Sequence, residues 1–206
     1  ARIIDRYEVN LDHIYIAWLP SVENAQYIGR SLGDYVKENG KEPADALSDL
    51  LIDENLAVLL VFHHGDDELV HPFLSHPSYM MGTDGIYFPN GAVHPRMYGS
   101  AGRLLGPCVR DHKLFNLETA VHKLSGLPAQ RFGIKDRGFI KEGYQADIVA
   151  FDASAVKDQA TYKNPHQFCF GINHVLVNGT VIIKDGQEVD LKTETYPGKA
   201  LRYNKK

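Results

Sequence analysis

The apolar positions in the first part of the chain alternate between short strand-like runs and stretches with helical spacing. Residues 13–18 are β-branched and aromatic, which predicts a strand. Ser31 can cap a helix over residues 32–38, because its hydroxyl can accept a hydrogen bond from the first helical turn. Pro43 suits the first position of a second helix, in which leucine and alanine recur on one face.

Two further apolar runs predict strands that continue this order. Residues 56–62 are nearly all apolar, which is typical of a strand buried on both faces in a parallel sheet. Residues 79–82 form the next buried run, and it ends at Asp84. Strands that alternate with helices indicate an α/β protein.

The second half of the chain predicts helices and then a small β unit. We expect helices over residues 101–111 and 117–125, the second capped by Asn116 and ended by Gly126. From about residue 133 the pattern changes to short strands. Asn178-Gly179 lies between two apolar runs and predicts a hairpin with a type I′ turn.

The candidate chemistry lies around Asp84. Asp84-Gly85 alone is a common turn dipeptide, so a purely structural interpretation stays open. The loop that follows is too long for a tight hairpin and as long as loops that usually carry function. It contains an imidazole, His94, and a guanidinium, Arg96, and either side chain alone is more often structural or solvent-exposed.

Composition narrows the class of protein. The 206 residues carry a formal net charge of -4, and 44% are hydrophobic, which is enough for a core. No basic stripe indicates nucleic-acid binding, and no apolar run approaches a membrane span. Cys108 and Cys169 lie far apart in the sequence and predict free thiols, so we expect a cytoplasmic protein with neither nucleic acid nor membrane as a partner.

Several motifs together resemble the carboxyl-terminal part of the amidohydrolase superfamily, and within it the D-aminoacylase or N-acyl-D-amino-acid deacylase family. The most specific is the segment with Gly138, Gly143 and Ala146-Asp147, while the pair that points to the deacylase branch is Gly82-Thr83-Asp84-Gly85 with His94-Pro95-Arg96. The resemblance implies the carboxyl-terminal part of a TIM (β/α)8 barrel over residues 1–132, followed by a small β-sandwich-like domain over residues 133–206.

The resemblance also implies a zinc-dependent hydrolase that cleaves the linear amide of N-acyl-D-amino acids. In that family the residue matching Asp84 takes a proton from the zinc-bound water and passes it to the leaving amine, so Asp84 is the predicted catalytic residue and a candidate metal ligand. Arg96 is the predicted binding residue for the substrate carboxylate, and His94 is predicted to line the same pocket. A guanidinium fork suits a planar carboxylate better than an ammonium does.

The chain departs from the family in its metal ligands. The stretches that supply the family's His-x-His pair, its mid-barrel Cys, Glu or modified Lys, and its two later histidines are not recognisable here. His63 and His64 would point to opposite faces of a strand. We therefore expect the zinc ligands to lie mostly outside this chain. The chain is then the carboxyl-terminal portion of a larger deacylase, a partner of a second chain that carries the rest of the barrel, or a non-catalytic interaction module. Another amidohydrolase activity, on cyclic amides or dipeptides, also stays open.

Overall fold

The computed structural model describes residues 10–63, 65–192 and 195–201, so His64 lies outside the described residues. The chain divides into two compact units. The first contains the described residues of Ala1–Leu69 together with Thr83–Tyr98 and Ala160–Gln167; the second contains Val70–Gly82, Gly99–Gln159 and the described residues of Phe168–Lys206. The domain boundary that we placed between residues 132 and 133 stays a prediction.

The first elements along the chain follow the predicted order of strand, helix, helix and strand. They are β1 (Ile14–Trp18), α1 (Leu32–Asn39), α2 (Pro43–Asp53) and β2 (Leu59–Phe62), and α3 (Asp67–Ser75) follows them. The predicted cap of α1 is confirmed, since the Ser31 hydroxyl accepts a hydrogen bond from Asp34 N at 3.0 Å. Gly40 ends α1 in the left-handed conformation, with φ 62°.

The prediction of a parallel strand buried on both faces is wrong for β2. β2 pairs antiparallel with β1 in a two-stranded sheet, and Phe62 is 54% exposed. The strand also begins later than predicted, because Leu56 belongs to the turn that ends α2. There Leu56 N donates to Leu51 O at 2.7 Å, and Leu56 has a φ of 65°.

The core of the first unit forms where α1 and α2 pack on β1. Ile16 and Leu50 are completely buried there. The cluster is made of apolar side chains from β1 and both helices: Ile14, Ile16, Leu19, Leu32, Tyr35, Ala46 and Leu50.

A buried carboxylate, Glu54, holds the loop that follows β1. Glu54 is 2% exposed, and its two carboxylate oxygens accept three hydrogen bonds. Ser21 N donates at 3.1 Å, Ser21 Oγ at 2.5 Å and Asn24 Nδ2 at 2.6 Å. Burial raises the pKa of Glu54, but these hydrogen bonds outweigh burial, so the pKa lies below its ordinary value.

Replacing Glu54 with alanine is expected to lower the free energy of unfolding by about 1–3 kcal/mol at pH 7, because the donors of Ser21 and Asn24 lose their acceptor. The folded-state pKa is lowered, so this stabilisation is fully present above the unfolded-state pKa of about 4.3 and is lost as pH falls through the folded-state pKa. Urea unfolding between pH 7 and pH 3 measures both effects.

The matched control for this prediction is Glu23→Ala, which removes an exposed glutamate from the same loop. We expect it to change the free energy of unfolding by less than about 0.5 kcal/mol. Equal stability of the two variants at pH 7 would contradict the role given to Glu54.

The middle of the chain forms four helices, three of which differ from the prediction. They are α4 (Arg96–Leu105), α5 (Pro107–Arg110), α6 (Leu117–Leu124) and α7 (Gly126–Arg131). The predicted single helix over 101–111 begins earlier, at Arg96, and is broken at Gly106. A Cβ at Gly106 would lie 1.8 Å from Val156 O, so only glycine permits this close backbone approach.

The cap of α6 is confirmed, because Asn116 Oδ1 accepts a hydrogen bond from Thr119 N at 2.9 Å. Gly126 was predicted to end the helical region, but it is instead the first residue of α7. It is buried, and a Cβ there would lie 2.8 Å from the Phe139 ring.

The strand predicted over residues 79–82 is wrong. This segment has no regular secondary structure, and no strand pairs with it in the described part of the chain. It is held instead by Lys123 of α6, which is 2% exposed. Lys123 Nζ donates to His76 O, and Met81 N approaches Lys123 O at 3.5 Å.

The predicted small β unit is present as an antiparallel sheet in the order β3 (Ile148–Phe151), β4 (Ile172–Val177), β5 (Thr180–Lys184) and β6 (Gln187–Glu188). The type I′ turn is confirmed, since Asn178 and Gly179 have φ values of 48° and 82°. Asp147 supports this turn: its carboxylate pairs with Arg137 and accepts a hydrogen bond from Asn178 N at 2.7 Å.

Candidate functional site

The predicted site residues lie on one segment of the first unit, Thr83–Tyr98, which is a loop up to Pro95 and then begins α4 at Arg96. β1 anchors the middle of this loop, because Ala92 N donates to Ala17 O at 2.7 Å. Gly91 is buried, and a Cβ there would lie 3.0 Å from Ala17 O, so a small residue is needed at this crossing. Trp18 and Phe88 stack with ring centroids 4.5 Å apart. The middle of the loop is therefore fixed on β1.

Asp84 and Arg96 form an ion pair across this loop. The Arg96 Nη2 group binds the Asp84 carboxylate and also donates to Asp84 O at 2.9 Å, while Arg96 Nε donates to the same carbonyl at 3.2 Å. The guanidinium fork thus holds both the backbone and the side chain of one residue. The structure brings together the carboxylate and guanidinium that the sequence singled out.

The pair is accessible to a ligand. The side chain of Asp84 is 79% exposed and that of Arg96 is 38% exposed. Asp84 has a φ of 46°, in the left-handed region, and Gly85 N donates to Thr83 Oγ1 at 3.3 Å. Asp84 therefore has the left-handed backbone that Asp-Gly pairs tolerate, outside any regular turn, and its carboxylate is presented to a guanidinium.

His94 lies behind Arg96 and is half-buried. Its Nδ1 accepts a hydrogen bond from Arg96 N at 3.0 Å, and its Nε2 lies 3.1 Å from the Tyr162 hydroxyl. Burial lowers the pKa of His94, and the Arg96 charge lowers it further, while Asp84 opposes the shift. The neutral ring with its proton on Nε2 is the form that fits these partners, since Nδ1 must keep its lone pair.

Sequence reasoning missed Tyr162 and His166, which lie on a separate segment of the first unit. The His166 Nε2 atom lies 3.1 Å from Gly91 O, and the Tyr162 ring stacks on His63 with centroids 4.2 Å apart. Asn164-Pro165 indicates a turn at this position, but no local pattern predicts a contact with His94, 68 residues away.

The described residues do not form a metal site by themselves. Within residues 10–63, 65–192 and 195–201, no group of three or more His, Cys, Asp or Glu side chains is placed to hold a metal ion. A catalytic zinc ion takes three protein ligands, so Asp84 alone does not fit a complete site. The two cysteines are free thiols, and Cys108 is buried.

A polar cleft of about 390 Å³ also lies in the first unit, but none of the three predicted site residues lines it. Its walls include Asp12, Arg30, Ser31 and Lys163. The Asp84–Arg96 ion pair therefore lies outside this cleft. Within the described residues, no helix combines the length and the apolar composition that crossing a membrane requires.

Comparison with known proteins places the chain in a family. Residues 43–183 match the amidohydrolase family, and since this is more than half of the 206 residues, the chain belongs to that family. The predicted resemblance is confirmed.

Two of the curated relatives are deacylases from Alcaligenes xylosoxydans xylosoxydans. An N-acyl-D-aspartate deacylase is 34% identical over 173 residues, which are 81% of this chain and 34% of that protein. An N-acyl-D-glutamate deacylase is 38% identical over 173 residues, covering 84% of this chain and 34% of that protein. The chain thus spans about a third of the length of the curated relatives it matches.

A solved structure of a deacylase also matches most of this chain. The N-acyl-D-glutamate deacylase from Bordetella bronchiseptica, complexed with zinc and a phosphonate inhibitor that mimics the tetrahedral intermediate, matches with a TM-score of 0.74 and 35% identity. The match covers 89% of this chain and 38% of that chain.

Proposed function

We propose that this chain forms part of a metal-dependent hydrolase that cleaves the linear amide of N-acyl-D-amino acids. The observation that carries the proposal is the exposed ion pair between Asp84 and Arg96, which joins a group that can move a proton to a group that can bind a carboxylate. The relatives support the substrate class, since their names specify N-acyl derivatives of D-aspartate and D-glutamate.

Arg96 is assigned to the substrate carboxylate. Every N-acyl amino acid carries an α-carboxylate beside the amide, and a planar guanidinium can bind both of its oxygens. In the structure, Nε and Nη2 of Arg96 donate together to one oxygen, the Asp84 carbonyl, so the two donors of the fork already act as a pair. His94 is assigned to the same pocket, where it holds the Arg96 backbone N–H at 3.0 Å.

Asp84 is assigned to proton transfer. Hydrolysis requires that a proton leave the attacking water and that a proton reach the amide nitrogen as its bond to the acyl carbon breaks. An exposed carboxylate beside the substrate-binding guanidinium can accept the first proton and deliver it to the amine. Because Arg96 fixes the Asp84 carbonyl as well as its carboxylate, the base is held in one orientation relative to the bound substrate.

The remaining parts of the enzyme are assigned outside the described residues. We infer that residues 1–132 contribute to a TIM-barrel-type fold whose other strands come from the rest of the parent chain or from a second chain. Asp84 is assigned as one oxygen ligand of the metal, and the other ligands come from that remainder. The chain covers 34% of the length of each of two deacylase relatives, and this supports the division.

The test is an assay of the assembled enzyme, in which this chain is joined with the rest of the amidohydrolase fold. We expect hydrolysis of N-acetyl-D-glutamate and N-acetyl-D-aspartate with little turnover of the L enantiomers. Chelation should abolish activity, and added Zn²⁺ should restore it, since relatives are metal-containing hydrolases. Turnover of cyclic amides or dipeptides alone would assign a different amidohydrolase activity. If none of these amides were hydrolysed, the remaining interpretation would be a non-catalytic interaction module.

A further inference from the structure

Tyr162 contacts the site through a series of hydrogen bonds. Its hydroxyl lies 3.1 Å from His94 Nε2, and His94 Nδ1 accepts the Arg96 N–H at 3.0 Å. Arg96 is the first residue of α4, where backbone N–H groups lack partners within the helix. The imidazole therefore accepts the first backbone N–H of α4 and links it to a phenol 66 residues further along the chain than Arg96.

The phenol is held in place by the groups around it. The Tyr162 ring stacks on His63 at 4.2 Å and on Tyr15 of β1 at 5.7 Å, and it meets the His94 ring edge-on at 5.1 Å. The turn that carries it is closed by Thr161 N, which donates to Asn164 O at 3.0 Å. The ring of Tyr162 thus contacts three aromatic rings of the first unit, and its hydroxyl contacts one of them, His94.

A second contact fastens the same segment to the site loop. The His166 Nε2 atom lies 3.1 Å from Gly91 O, and the His166 ring meets Tyr98 edge-on at 5.6 Å. The segment Ala160–Gln167 is therefore attached to the site loop at two points, Gly91 and His94. Because the attachment has two points, a change at Tyr162 alone leaves the segment docked.

We propose that Tyr162 is a positioning residue for carboxylate recognition: it orients the His94 ring, which fixes the amino end of α4 and thereby the direction of the Arg96 guanidinium. The proposal rests on the proposed function of Arg96. It deepens that function by assigning a specificity-determining role to a segment that lies 64 residues beyond Arg96 at its start. Tyr162 acts through His94 and does not itself take part in the reaction.

Tyr162→Phe removes the hydroxyl and keeps the ring. We expect the KM of the assembled enzyme for N-acetyl-D-glutamate to rise roughly fivefold, because one net hydrogen bond contributes a factor of this size. The kcat should stay within about twofold, since no group that moves a proton has changed. Tyr15→Phe is the matched control, because it makes the same chemical change in a ring that stacks on Tyr162 without touching His94 through its hydroxyl; it should leave both constants unchanged.

A double-mutant cycle tests the route through His94. His94→Asn keeps an acceptor within reach of Arg96 N but cannot reach Tyr162. In that background Tyr162→Phe should have no further effect on KM, because the coupled pair is already broken. Additive effects, an effect of Tyr15→Phe as large as that of Tyr162→Phe, or a fall in kcat at constant KM would each overturn the proposal.

A spectroscopic measurement separates this proposal from the proposed function. Nitrogen-15 spectra of the histidine rings should place the proton of neutral His94 on Nε2. The Arg96 Nε–H resonance, whose proton is donated to Asp84 O at 3.2 Å, should move in Tyr162→Phe but not in Tyr15→Phe. An enzyme inactive on every amide with these signals intact would reject the deacylase function. A proton on Nδ1 or an unmoved Arg96 resonance would reject the role of Tyr162.

Discussion

Replacing Asp84 with asparagine is expected to lower the kcat of the assembled enzyme by about 100- to 10,000-fold on N-acyl-D-amino acids, because the amide cannot carry the proton between water and leaving amine. The fold should be preserved. Asparagine tolerates a φ of 46° as well as aspartate does, and the Asp84 carbonyl that Arg96 binds remains present in the variant. Steady-state kinetics at neutral pH measures the effect.

The control for this substitution is Asp190→Asn, which makes the same chemical change at an exposed aspartate in the second unit. Its kcat and KM should match those of the unmodified enzyme. If Asp84→Asn kept full turnover, the assignment of proton transfer to this carboxylate would be wrong, and Asp84 would be left as a partner of Arg96 alone.

Replacing Arg96 with alanine is expected to raise KM for N-acetyl-D-glutamate by roughly 10- to 150-fold, since a charge-assisted hydrogen bond to a carboxylate contributes about 1.5–3 kcal/mol. The KM of Arg96→Lys should lie between those of the unmodified enzyme and Arg96→Ala. Lysine keeps the positive charge but loses the two-pronged geometry through which Nε and Nη2 act together. The comparison of KM and kcat for the three proteins separates binding from chemistry.

An N-acyl amine without a carboxylate provides the internal control for Arg96. Its kcat/KM should be low in the unmodified enzyme and hardly changed in Arg96→Ala. Arg103→Ala, which removes an arginine two turns further along α4 that pairs with Asp158 at 3.4 Å, should leave KM unaltered. A KM that does not respond to Arg96→Ala would remove the carboxylate-binding role.

Local signals in the sequence predicted local structure well. The caps at Ser31 and Asn116 and the turn at Asn178-Gly179 depend on hydrogen bonds and dihedral preferences within a few residues, so each can be predicted from its own neighbourhood. Strands depend on their partners. Residues 79–82 have the apolar composition of a strand but no neighbouring strand in the described part of the chain. β2 pairs antiparallel with β1, whereas its composition predicted a parallel sheet.

In the candidate site, too, contacts between residues close in the sequence could be predicted and contacts between distant residues could not. Asp84 and Arg96 lie 12 residues apart, with one loop between them, so their pairing was accessible to motif recognition. Tyr162 reaches His94 from 68 residues away, through a turn whose sequence specifies only that the chain bends. Contacts of this kind are decided by packing and not by spacing, so sequence patterns could not have identified them.

The start of α4 at Arg96 has a consequence for anions near this loop. Aligned peptide dipoles place a partial positive charge of about half a unit at the amino end of a helix, and side chains of a helix lean towards that end. The Asp84 carboxylate, bound by Arg96, therefore lies where the backbone itself attracts negative charge. That attraction is screened by salt, but it belongs to the main chain and survives any replacement of the arginine side chain.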